Sequence, residues 1–100
     1  MTDGTAILTL EDGIIVLRGE GFTPGTKLSM QMVETATNGD SRKARYRPSV
    51  AGPDPKGNPH PVYDHGVVDF TEPFLFGTGT CEVTVRDGDE IVAEEVFNLG

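Results

Sequence analysis

Histidine and cysteine, the ligands that a zinc site prefers, are few in this sequence, and their spacing does not suit a metal ion. A zinc site needs three or four converging ligands at fixed distances. His60, Asp64 and His65 are neighbours in a proline-rich stretch, and we interpret them as polar loop residues. The sequence Asp87-Gly88-Asp89-Glu90 matches half of a calcium-binding loop but lacks the alternating ligands of a complete one, so a β-turn explains it. We therefore expect no metal site and no cofactor.

Groups for covalent or acid–base catalysis are equally scattered. A serine nucleophile needs a base and a group that orients that base. The serines, none of which lies in a nucleophile-elbow sequence, are Ser29, Ser41 and Ser49. Glu94 and Glu95 point to opposite faces of a strand, and no glycine-rich phosphate cradle is present. The lone Cys81 lies in an alternating strand pattern, so we interpret it as a small core residue. The chain is therefore not expected to be an enzyme.

Half of the eight basic residues stand close together in one short segment. These four residues are Arg42, Lys43, Arg45 and Arg47. On a strand the last three share one face, and Arg42 shares the other with Ala44 and Tyr46. Two interpretations stay open: the segment is a docking strip for an acidic partner surface, or it is an edge strand that its charges protect from aggregation.

A proline-rich stretch at about 51–65 predicts an extended loop or arm, because each proline would remove a hydrogen-bond donor from a sheet. Loops of this length are uncommon in compact domains and tend to be functional or mobile. Pro59, Pro61 and Tyr63 are candidates for contact with a neighbouring subunit. A solvent-exposed loop is the alternative.

The elements that carry these residues are predicted to be short strands, with no helical periodicity. The strands cover about 5–10, 14–18, 27–34, 41–47, 67–70, 80–86 and 90–99. Glycine-containing turns separate them at Asp12-Gly13, Asn38-Gly39-Asp40 and Asp87-Gly88-Asp89. In the last strand the alternation changes phase between Ile91 and Phe97, which a β-bulge would reconcile.

This pattern predicts an all-β antiparallel sandwich of about seven to eight strands in a single domain, residues 1–100. The predicted core is Leu8, Leu10, Ile15, Leu17, Leu28, Met30, Met32, Val68, Phe70, Cys81, Val83, Val85 and Phe97. The formal net charge of −8 disfavours nucleic acid as a partner. No stretch is apolar enough to span a membrane and no secretion signal opens the chain, so we expect synthesis in the cytoplasm.

The chain resembles immunoglobulin-like domains of bacteria and bacteriophages over nearly its whole length, apart from residues 42–61. In the first half the matching residues are Gly19, Gly21, Phe22, Pro24 and Gly25. In the second half they are Asp64, Gly66, Phe70, Pro73, Gly79, Cys81, Val83, Val85, Asp87, Gly88, Ala93, Phe97 and Leu99, with Cys81 in place of the usual tyrosine.

The resemblance implies an immunoglobulin-like β-sandwich. A single acidic domain without a secretion signal looks like a virion component: a capsid-decoration or tail accessory subunit that binds a major capsid or tail protein. A carbohydrate- or cell-surface-binding adhesion module is the alternative, with a glycan as its ligand, although the chain has no tryptophan and only Tyr46 and Tyr63. A small cytoplasmic binding domain is a third interpretation. A homo-oligomer that exchanges a strand edge or an arm is compatible with each.

Overall fold

The computed structural model describes residues 4–23, 25–50, 66–73 and 78–98. In these ranges all regular structure is β, which confirms the predicted class. The seven strands are β1 (Thr5–Glu11), β2 (Ile14–Glu20), β3 (Ser29–Thr35), β4 (Ser41–Tyr46), β5 (Val68–Pro73), β6 (Thr80–Asp87) and β7 (Glu90–Asn98). Lys27, predicted to begin the third strand, instead forms an isolated bridge with Ser49. In the part of the chain that is described, no helix is long and apolar enough to cross a membrane.

The strands form two antiparallel sheets that pack face to face. One sheet has the order β1-β2-β5 and the other the order β4-β3-β6-β7. The pairs β2–β5 and β3–β6 join strands that are far apart in sequence, so both halves of the chain contribute to both sheets. The molecule is therefore a β-sandwich, as predicted. β1 lies close to β7 along one side of the sandwich, and toward the other side the Tyr46 ring of β4 contacts the Phe70 ring of β5.

Tight turns fix the register of the hairpins. Asp12 and Gly13 both have positive φ angles, 51° and 76°, which is the backbone of the two-residue turn that matches the twist of paired strands. Between β3 and β4, the Asn38 side-chain oxygen accepts a hydrogen bond from the Asp40 N–H at 3.0 Å. Such side-chain-to-backbone bonds explain why asparagine and aspartate favour turns. The turn residues that the sequence predicted therefore lie at these turns.

The core contains every residue that the sequence assigned to it. Leu10, Phe70 and Phe97 are partly buried, and the other predicted core residues are buried. The cluster also includes Phe22 and Val50, which the strand pattern did not identify. Both lie outside the strands: the Phe22 N–H donates to the Gly66 carbonyl at 3.2 Å, and the Val50 N–H donates to the Thr26 carbonyl at 2.8 Å. These backbone bonds hold two connecting segments against the end of the sandwich.

The predicted irregularity in the last strand is a β-bulge. Val85 pairs with Ala93, but Arg86 pairs with Ile91, so Val92 is an extra residue in β7. The bulge changes the phase of the alternation, as expected from the sequence. Leu99, the last residue of the predicted strand, lies outside the described residues.

Candidate functional site

β4, the strand that carries the basic cluster, is an edge strand of the four-stranded sheet. Its burial alternates: Lys43 and Arg45 are exposed, whereas Arg42 and Tyr46 are half-buried. Arg47 is exposed just beyond the strand. The two faces predicted from the sequence are therefore confirmed. The edge position satisfies the premise of both interpretations of the cluster, since a charged edge can be protected from aggregation or can bind a partner.

Arg42 differs from the other basic residues because it makes an ion pair inside the sandwich. Its Nη1 lies 3.5 Å from Oε2 of Glu34, whose side chain is only 3% exposed, while the Arg42 side chain is 40% exposed. A buried carboxylate is costly unless a cation or hydrogen bonds compensate it. Arg42 thus has a role in the fold, and its predicted contact with a partner stays a prediction.

Tyr46 packs across the gap between the two sheets. Its ring centroid lies 5.8 Å from that of Phe70 on β5, with the ring planes tilted by 47°. Burial and the nearby Glu72 carboxylate raise the pKa of the Tyr46 hydroxyl, and Arg42 opposes this increase. The ring of Tyr46 is therefore occupied in packing and does not form a flat exposed platform for a sugar.

The hydrogen-bonding phase of β4 follows from the bonds at the two ends of the β3–β4 pair. The Leu28 N–H donates to the Pro48 carbonyl at 2.8 Å, and the Ala36 N–H donates to the Asp40 carbonyl at 2.7 Å. In an antiparallel ladder, hydrogen-bonded pairs alternate with pairs whose N–H and C=O groups point away from each other. The register between these ends is constant, so both bonds assign the same phase to the whole strand.

This phase determines which backbone groups β4 presents at its free side. Lys43 and Arg45 pair with Val33 and Gln31, and these are the pairs without mutual hydrogen bonds. The N–H and C=O groups of Lys43 and Arg45 therefore point away from β3, toward the open edge. Their cationic side chains take part in neither ion pair found among the described residues. In the part of the chain that the structure describes, outward-pointing backbone groups and cations without an ion-pair partner thus belong to the same two residues.

The outer face of this sheet changes character from one edge to the other. One row across the four strands consists of Lys43, Val33, Glu82 and Val96. The next row consists of Arg45, Gln31, Thr84 and Glu94. The β4 edge is therefore basic, and the β7 edge combines carboxylates with exposed apolar residues, including Val96 at 61% exposure. The alternation of side chains within β7 could have shown which of its residues lie on the exposed face. The position of β7 at the border of the sheet could not be inferred from that alternation, because it depends on pairing between strands far apart in sequence.

The remaining candidate groups do not add a chemical centre to this surface. Among the described residues no group of three or more metal-ligating side chains converges. Cys81 is fully buried, as predicted for a core residue, and burial, together with Glu34 and Glu82, raises the pKa of its thiol to about 11. It is therefore held as a protonated thiol. The proline-rich stretch, with Pro59, Pro61 and Tyr63, lies outside the described residues.

Two shallow grooves lie on the described surface. One, of about 300 Å³, lies between the edges of β1 and β7 and is lined by Ala6, Ile7, Leu8, Ala93, Glu94 and Glu95. The other, of about 210 Å³, lies over the outer face of β1 and β2 beside Ile7 and Arg18.

No family model, curated protein or solved structure matches this chain. The described sandwich and the chemistry of its edges are therefore the basis for assigning a function.

Proposed function

We propose that this chain is a non-enzymatic virion structural protein: an immunoglobulin-like capsid-decoration subunit, or a head or tail accessory subunit, that binds a large protein assembly through its β4 edge. The observation that carries the proposal is that Lys43 and Arg45 lie at one sheet edge and combine outward-pointing backbone groups with cations that have no ion-pair partner among the described residues. The resemblance of the sequence to phage immunoglobulin-like domains supports the virion assignment.

The binding mode that this edge suits is the addition of a strand. An extended segment of the partner would hydrogen-bond to the backbone of Lys43 and Arg45, which gives affinity without a deep pocket. Acidic side chains at alternate positions of that segment would face the two cations, because directly opposite residues in an antiparallel pair lie about 5 Å apart. Charge complementarity of this kind fixes register and accelerates association. The partner is therefore an acidic, extended segment on the surface of a capsid or tail protein.

Binding to isolated phage particles tests this proposal. The purified full chain is mixed with candidate capsids or tails, and the fraction that co-sediments is measured against concentration. We expect saturable binding by the wild-type chain and loss of that binding in Lys43→Glu/Arg45→Glu. The matched control is Arg18→Glu/Arg86→Glu, which makes the same change in net charge at exposed positions away from the β4 edge.

The control distinguishes a local contact from a general electrostatic effect. Retention of binding in the control and loss in the β4 variant supports docking at this edge. Equal loss in both variants, undiminished binding by the β4 variant, or no binding of the wild-type chain to any particle would refute the proposal.

A further inference from the structure

The two edges of the four-stranded sheet are complementary in charge. The β4 edge presents Lys43 and Arg45, and the β7 edge presents Glu94 and Glu95. All four side chains belong to exposed residues, and none takes part in the ion pairs of the described residues. Val96 adds apolar surface on the outer face of β7. The β7 edge, which combines carboxylates with apolar surface, therefore suits the binding of a basic extended strand.

We propose that the β7 edge binds the β4 edge of a second copy of this chain, so that the four-stranded sheets of successive copies join edge to edge. β4 and β7 are separated by three antiparallel pairings, so they run in opposite directions. A second copy that continues the sheet, displaced sideways and rotated to follow the sheet twist, therefore presents β4 antiparallel to β7, with the outer faces of both sheets on the same side. This arrangement needs no change in the fold.

The side chains support a register for this contact. When Lys43 stands opposite Glu94 of the neighbour, Arg42 stands opposite Glu95. The first pair lies on the outer face. The second lies on the inner face, where the 40% exposure of Arg42 leaves its guanidinium accessible from outside. Both pairs are of opposite charge, which favours cross-strand pairing.

The groove between β1 and β7 gives the incoming strand room. Inner-face side chains of a strand added to β7 would lie over this groove, whose volume is about 300 Å³ and whose walls include Ala6, Leu8 and Ala93. Its floor and walls combine apolar side chains with the Glu94 and Glu95 carboxylates. The groove therefore suits the aliphatic stem and cationic end of an arginine.

The same charges exclude the symmetric alternatives. Two β4 edges would place cations against cations, and two β7 edges would place carboxylates against carboxylates, and like charges directly opposite destabilise strand pairs. The favoured contact joins unlike edges, so it produces a ring if the rotation closes and an open array if it does not. Self-association through these edges is distinct from docking on an assembly, and the two contacts compete because both use β4.

Sedimentation of the full chain over a concentration series up to about 1 mM tests the contact. We expect concentration-dependent self-association of the wild-type chain. Lys43→Glu/Arg45→Glu and Glu94→Lys/Glu95→Lys should each raise the dissociation constant at least about tenfold. An equimolar mixture of the two variants should associate again, because the unchanged β4 edge of the β7 variant then meets the unchanged β7 edge of the β4 variant.

The matched control is Glu20→Lys/Asp69→Lys, which changes net charge as much as the β7 variant does but at exposed positions of the other sheet. It should associate like the wild-type chain. A wild-type chain that stays monomeric, a control that dissociates as much as the β7 variant, or a mixture that stays monomeric would overturn the proposal. Particle binding separates the two ideas: Glu94→Lys/Glu95→Lys should bind particles normally, since it leaves the β4 edge intact.

Discussion

Removal of the Arg42 side chain is expected to destabilise the fold, whereas removal of its neighbour Lys43 is not. The two residues are adjacent in one basic cluster, but Arg42 pairs with the buried carboxylate of Glu34 and Lys43 points to solvent. Arg42→Ala and Lys43→Ala delete equal charges from the same strand. Any difference between them therefore reports the environment of the charge rather than its sign.

The magnitude follows from the geometry of the pair. Two unit charges 3.5 Å apart attract each other by about 4–5 kcal/mol at an effective dielectric constant near 20. The 40% exposure of the Arg42 side chain lets water screen the guanidinium, and the desolvation of both groups offsets part of the attraction. We expect Arg42→Ala to lower the free energy of unfolding by about 1–3 kcal/mol. Lys43→Ala should change it by less than about 0.5 kcal/mol.

Urea unfolding followed by far-UV circular dichroism measures these differences. The two variants should unfold with similar m-values, so that a shift in midpoint reports stability. In the Glu34→Gln background the effect of Arg42→Ala should shrink by about 1 kcal/mol or more, since no buried carboxylate is then left without its cation. Equal destabilisation by Arg42→Ala and Lys43→Ala, or an Arg42→Ala effect that is unchanged in the Glu34→Gln background, would refute the reasoning.

Two further predictions concern the core and a turn. Burial raises the pKa of the Cys81 thiol from 9.0 to about 11, so the thiol of the unfolded chain ionises at lower pH, and the free energy of unfolding should fall by about 2 kcal/mol between pH 9 and pH 11. Urea unfolding should show a smaller decrease over this range in Cys81→Ala, and the same decrease in Cys81→Ala and the wild-type chain would contradict this. Gly79→Ala should lower the melting temperature more than Gly39→Ala. The φ angles are similar, 90° and 96°, but a Cβ at Gly79 collides with the Thr35 backbone, while at Gly39 it meets nothing within 4 Å. The positive φ angle costs an alanine about 1–2 kcal/mol at each of the two sites. Equal decreases in melting temperature for the two variants would therefore show that the collision at Gly79 is relieved without cost.

The fold was predictable where it depends on local chemistry. Alternation with a period of two placed Met30 and Met32 on the buried face of β3, and the turn glycines placed the hairpins. The bulge at Val92 was predictable for the same reason, since one extra residue is the simplest way to reconcile two phases of one strand. Each of these features depends on residues within a few positions along the chain.

Features that depend on pairing between distant strands were not predictable in the same way. Phe22 is buried because the chain around Gly66 reaches back to it, and no local pattern records that contact. The Arg42–Glu34 pair is an intermediate case. A hairpin turn centred on Asn38 already sets residue 34 opposite residue 42, so the register could have identified the pair. The acidic character of the opposite sheet edge, by contrast, depends on β6 lying between β3 and β7.

The distribution of charge over the sheet edges links the solubility of the chain to its proposed contacts. A sheet with two open edges is prone to uncontrolled pairing, and charged side chains at the edges limit it. Here the edges carry opposite signs, so each repels its own kind while the combination of β4 with β7 stays favourable. An acidic strand of an assembly and the β7 edge of a second copy therefore offer β4 the same chemistry. Which of them occupies the edge is decided by affinity and by local concentration. A crowded particle surface, where many acidic partner segments lie close together, would then withdraw the β4 edge from self-association.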